Sequence, residues 1–151
     1  MTKEDANYPK AKVFGILQSG HRLLVVEFNG EHSRGRGIYY RPIGGSIEFG
    51  EKSIDALIRE FKEEVKEAVE IECFIACIEN IFMINEQLGH EMILVYKVGF
   101  VNKKNYKREL FYLQENEKVS VAKWIDIMDF VKGEKVLFPD GLADKLERGI
   151  S

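Results

Sequence analysis

The chain has 151 residues, 45% of them hydrophobic and 31% charged, with a formal net charge of −3. That length suits one domain spanning residues 1–151 with a sizeable core, and the composition excludes a disordered or fibrous chain. So small a net charge argues against general nucleic-acid binding and against attachment to a membrane surface. The opening MTKEDANYPK lacks the apolar run of a signal peptide, and no later stretch has the length of a membrane span, so a cytoplasmic protein is expected.

In chain order, AKVFGILQ and RLLVVEF are apolar, β-rich runs separated by Ser19, Gly20 and His21, which predicts a hairpin. The polar, glycine-rich span from Asn29 to Gly37 reads as a loop. Six of the thirteen glycines (Gly30, Gly35, Gly37, Gly44, Gly45 and Gly50) fall in the stretch just before an acidic helical segment. Beyond it come the strand-like runs IECFIACIENIFMI, HEMILVYKVGFV and VSVAKWIDI, with a turn around Glu86 to Gly89. Short helices are expected over 126–132 and 140–148. Strands around a central helix, with helices again at the end, fit an α+β or a layered α/β/α domain. Cys73 and Cys77 are too few for a disulfide framework. On one strand, four residues at ~3.3 Å each would hold them too far apart to bridge, so two buried free thiols are expected.

The acidity is local. Between Glu51 and Glu72 eight acids face only four bases. On a wheel of roughly 100° per residue, Glu60, Glu63, Glu64 and Glu67 cluster on one side of the helix. Ile54, Leu57, Ile58, Phe61, Val65, Ala68 and Val69 form the core stripe beside them, while Arg59, Lys62 and Lys66 take the remaining flank. A solvated helix face ordinarily places an acid four residues before a base. Here Glu60–Glu64 and Glu63–Glu67 are like-charge pairs, each costing about 0.2–0.5 kcal/mol in an isolated helix. A hard divalent cation would reverse that repulsion, because Mg²⁺ takes carboxylate oxygens and keeps waters for substrate phosphates.

The stretch from Gly45 resembles the signature of the Nudix hydrolases, G-x5-E-x7-R-E-U-x-E-E-x-G-U with U apolar. Gly45, Glu51, Arg59, Glu60, Glu63 and Glu64 match at the required spacing, and Phe61 fills the first apolar position. The resemblance implies an α+β fold, a Nudix-type α/β/α sandwich with a mixed sheet and the acidic helix packed against it, and hydrolysis of a nucleoside diphosphate linked to another group, with water attacking one phosphorus. It also implies Mg²⁺ or Mn²⁺, held by Glu60, Glu63 and Glu64 with a carbonyl from Gly44 or Gly45. Glu60 is further implied as a candidate base, and Arg59 and Glu51 as a pair bracing the loop against the helix. The chain departs from the pattern at its end, where Lys66 and Glu67 replace the helix-ending glycine and an apolar residue. That change implies a longer helix running past Lys66, or a small insertion, and leaves Glu67 without an inherited role.

Outside the box, Glu91 is a candidate extra acid, against the plainer reading of a surface carboxylate. Arg34, Arg36 and Arg41 are candidates to clamp phosphate, although exposed basic loops are common. Tyr39, Tyr40 and Phe82 either stack on a base or fill the core, and Trp124 is expected in the core. His21, His32 and His90 show no metal-ligand spacing. The implied partner is a small-molecule nucleotide; a homodimer is left open. Two other classes compete: a catalytically silent Nudix-fold nucleotide-binding module, which would need a damaged acidic core, and an interaction domain with an acidic helix, which leaves the matched glycines unexplained.

Overall fold

A computed structural model describes residues 7–115 and 118–149. Among the described residues seven strands are present: β1 Lys10–Ser19, β2 Arg22–His32, β3 Gly35–Ser46, β4 Val69–Ile84, β5 Gln87–Phe100, β6 Leu110–Glu115 and β7 Lys118–Asp126. They join in the order β4-β5-β1-β3-β2-β7-β6, with β1 and β5 parallel and the other strand pairs antiparallel. The helices are α1 Ser53–Glu64, α2 Ile127–Val131 and α3 Leu142–Gly149.

The central strands are apolar on both faces because each face meets a helix layer. Along β1, Val13 and Leu17 join Ala56, Leu57 and Phe61 of α1 in one core, while Phe14 and Ile16 join Phe130, Leu142 and Leu146 in the other. Strand β2 alternates in the same way, Leu24 and Val26 against Leu23 and Val25. The mixed-sheet α/β/α sandwich that the resemblance implies is therefore the observed fold, and Trp124 lies in the first core. Gly15 admits α1, since a Cβ there would stand 2.8 Å from the Phe61 ring.

The β1–β2 hairpin pairs Ser19 with Arg22, as the sequence predicts. Asn29 to Gly37 is not a loop. β2 and β3 pair continuously up to His32↔Gly35, and Glu31 stands opposite Arg36, an opposite-charge cross-strand pair that suits a ladder. The turn of the next hairpin is Asn85-Glu86, earlier than expected, with φ of 51° and 64° as a two-residue hairpin of the primed type requires. Cys73 and Cys77 are free but exposed, not buried. They lie on β4, one of the sheet's two edge strands, which shifts register between Ile71 and Cys73 and again between Phe74 and Ala76. Each shift re-aims the side chains that follow it. Strand β6 has no counterpart among the sequence expectations; its six residues are flanked by polar chain and give little periodic signal.

The helix does not run past Lys66. Its last i→i−4 bond, from Val65 N–H to the Phe61 carbonyl at 2.9 Å, ends the helix, and Lys66 then adopts φ 64°. The apolar stripe misleads here. Val65 is buried under the helix, whereas Val69 is buried as the first residue of β4, paired with Phe100. Lys66 thus takes the left-handed turn that glycine makes in the family pattern, at a steric cost of about 1 kcal/mol that glycine avoids. Lys66→Gly is expected to raise stability by about 1 kcal/mol and the melting temperature by ~2–4 °C. A melting curve that stays put or moves down would contradict this account of the helix end.

Candidate active site

A change of pairing along β3 brings Gly44 and Gly45 beneath α1. Strand β3 pairs with β2 as far as Pro42 and then with β1 from Ile43 to Ser46, so the glycines sit just past its change of partner. Each glycine is there for a different reason. A Cβ on Gly44 would lie 2.0 Å from the Val13 carbonyl oxygen, so β1 and β3 could not pair at that spacing. A Cβ on Gly45 would lie 2.6 Å from both Cδ and Oε1 of Glu60, so the helix carboxylate rests directly on the glycine backbone.

Arg59 organises the loop between β3 and α1. Its Nε donates to Glu51 Oε2 at 2.8 Å and its Nη2 to Glu51 Oε1 at 3.0 Å, a fork on a fork. Nη2 also donates to the Ser46 carbonyl at 3.1 Å, and Nη1 reaches Glu60 at 3.1 Å and Glu63 at 3.3 Å. Glu51 closes the loop by accepting from the Glu48 N–H at 3.1 Å. Chiefly through the Arg59 bonds, its carboxyl is held down to about 2, so the pair remains ionised well into acid. The wheel set Arg59 on a flank with the lysines, yet its long side chain folds back across the acids.

A cavity of about 410 Å³ opens above these groups, lined by Gly44, Gly45, Glu60, Glu63 and Glu64, with Arg59 at its edge. Burial pushes the Glu60 carboxyl up, opposed by a hydrogen bond with Glu64 and by Arg59. Glu63 is turned toward Arg59 and is largely exposed. Among the described residues no three His, Cys, Asp or Glu side chains converge as a preformed metal cluster. The donor chemistry nonetheless suits a hard divalent cation: two facing carboxylates, a third within one helical turn, and the strand backbone immediately below. Two such carboxylates stay together only by sharing a proton or a cation.

Of the arginines singled out in the sequence, Arg41 lines this cavity, its guanidinium 4.4 Å from the centre of the Phe28 ring. Arg34 pairs with Asp140 and lies 5.4 Å over the Phe138 ring, away from the cavity; Arg36 is exposed on β3. Glu91 does not line the acidic cavity. It accepts from Asn80 Nδ2 at 3.3 Å and lies 3.9 Å from Lys12. Lys12, which also lines the acidic cavity, was missed in the sequence. Its signal was a lone cation inside a run otherwise apolar on both faces. Tyr40 is buried, while Tyr39 and Phe82 are half-buried. Glu67 is remote from the other three acids: it accepts from Asn105 Nδ2 at 2.7 Å and lies 3.6 Å from Arg108.

The chain matches the NUDIX domain over residues 7–146. It belongs to the NUDIX family. The NUDIX fold is shared at low identity with solved structures. A NUDIX hydrolase from Nitrosomonas europaea has 18% identity and TM-score 0.63, covering 93% of this chain and 87% of the other. A MutT protein from Methanosarcina mazei Go1 has 16% identity and TM-score 0.64, covering 95% of each chain. An ADP-ribose pyrophosphatase from Streptococcus suis has 16% identity and TM-score 0.59, covering 93% and 88%. No curated protein matches the chain. With the family's acidic core intact, the expectation of a Nudix-type hydrolase holds. No helix among the described residues is long and apolar enough to cross a membrane.

Proposed function

We propose that this NUDIX domain hydrolyses a pyrophosphate bond in a nucleoside diphosphate linked to another moiety, with water attacking one phosphorus. The observation that carries this reading is the contact of Glu60 with Gly45 and Glu64 in a cavity that Lys12 and Arg41 also line. The acids alone would repel a diphosphate; two cations beside them give its oxygens a place to bind.

A divalent cation of the Mg²⁺ or Mn²⁺ type, held by Glu60, Glu63, Glu64 and a carbonyl of Gly44 or Gly45, would neutralise charge on the phosphate oxygens. The chain's own residues supply positioning. Arg41 and Lys12 orient the diphosphate, and phosphoryl transfer depends chiefly on such placement and on charge stabilisation. Arg59 and Glu51 act as positioning residues, fixing where the Glu60 carboxylate sits. Glu60 is the candidate base that would accept a proton from the attacking water.

The test is cleavage of a panel of nucleotide sugars, dinucleoside polyphosphates and nucleoside triphosphates, followed by phosphorus NMR. Metal-dependent release of a nucleoside phosphate is expected from at least one of them. Failure of every substrate with Mg²⁺ or Mn²⁺ present would favour the silent binding module instead.

A further inference from the structure

Beside the acidic cavity lies a second, smaller one of about 110 Å³. We propose that it is a nucleobase subsite selective for bases that carry a ring N–H, such as guanine and uracil, over adenine and cytosine. The proposal rests on the nucleotide reading above and deepens it.

Its aromatic lining comes from two hairpins and from the segment before α3. On one side His32, Tyr39 and Phe138 form a cluster with ring centroids 5.2–5.7 Å apart. Phe138 is fixed there by backbone bonding, its N–H donating to the Tyr40 carbonyl at 2.9 Å, so the segment before α3 is stitched to β3. On the other side stands Phe82 of β4. Its ring lies so close over Gly89 that a Cβ there would be 2.2 Å from the ring carbon Cζ. Half-buried rings lining one cavity offer a planar heterocycle aromatic surfaces on which any base can stack.

Selectivity comes from the polar end. Asn80 and Glu91 line the cavity together, with the amide of Asn80 donating to one carboxylate oxygen. A carboxylate only accepts, and each oxygen has two lone pairs, so Glu91 retains capacity for an incoming N–H. The ring N–H of guanine or uracil satisfies it, whereas adenine and cytosine present a lone pair at that ring nitrogen. A site built to receive an N–H penalises the analogue that lacks it.

Size and connection agree. A drug-sized ligand fills roughly 300–1,000 Å³, so 110 Å³ holds a ring system rather than a whole nucleotide. Arg41 lines both cavities, and Lys12 in the acidic cavity pairs with Glu91 in the other. A base seated between the rings therefore directs its phosphates past Arg41 toward Gly45 and Glu60.

Titration of metal-free protein with neutral nucleosides, followed by NMR chemical shifts, tests the subsite apart from any turnover. Guanosine and uridine are expected to bind at least about tenfold more tightly than adenosine and cytidine. Phe82→Ala should weaken all four about tenfold. Gly89→Ala, which displaces the same ring without removing it, should weaken them in the same direction. Glu91→Gln, nearly isosteric and able to donate as well as accept, should narrow the gap between guanosine and adenosine. Equal binding of all four nucleosides, no binding, or a gap unchanged in folded Glu91→Gln protein would overturn the proposal. Selective binding without any cleavage would leave the subsite standing and count against the hydrolase reading.

Discussion

Glu64→Gln is expected to lower metal-dependent turnover by at least about 10²–10³-fold, the scale of losing one group that stabilises charge at the reacting phosphate. The fold should survive without metal, because the amide keeps the shape and relieves the repulsion between Glu64 and Glu60. Glu67→Gln is the matched control. Glu67 sits only three residues further on but points to the short helical turn Lys103–Lys107, bonding Asn105, which is 3% exposed. That change should leave turnover nearly intact and lower the melting temperature slightly. Equal collapse of activity in both variants, with circular dichroism unchanged, would mean that the acidic site has been misassigned.

The two glycines should separate stability from catalysis. In Gly44→Ala the new methyl meets a backbone oxygen at 2.0 Å, which no rotamer can relieve, so β1 and β3 must move apart. A loss of about 3 kcal/mol or more is expected, at the upper end of overpacking costs. In Gly45→Ala the methyl meets the tip of a flexible side chain, which can swing away. The fold is then preserved, but Glu60 is displaced by something like an ångström, and turnover should fall about a hundredfold. Thermal melts and initial rates on the same two preparations decide the matter. If Gly45→Ala is fully active, the placement of Glu60 on that glycine has no bearing on catalysis.

Where periodicity and spacing carry strong physics, the sequence was readable. The apolar, β-rich runs of β1 and β2 announced their hairpin, and Gly45, Glu51 and Arg59 to Glu64 announced the loop and helix that now meet in one cavity. It failed where one pattern served two geometries. Val65 and Val69 continue a helical stripe on paper, yet one closes α1 and the other opens β4. The glycines between Asn29 and Gly37 look like a loop but sit in paired strands, because glycine is tolerated in a ladder whose cross-strand neighbours suit each other. The thiols on β4 were misplaced because register shifts in an edge strand leave no trace in composition. The role of Lys12 and the separation of Glu91 from the acids depend on β1 lying parallel to β5, a pairing far apart in sequence.

In the proposed reading Glu60, Glu63 and Glu64 hold a divalent cation over Gly44 and Gly45. Calorimetric titration of the folded protein with Mn²⁺ tests it most directly, using wild type, Glu64→Gln and Glu67→Gln side by side. Saturable Mn²⁺ binding that persists in Glu67→Gln and is abolished or weakened at least about tenfold in Glu64→Gln is the predicted result. Binding of equal strength in all three proteins, or none in the wild type with substrate analogue present, would contradict it.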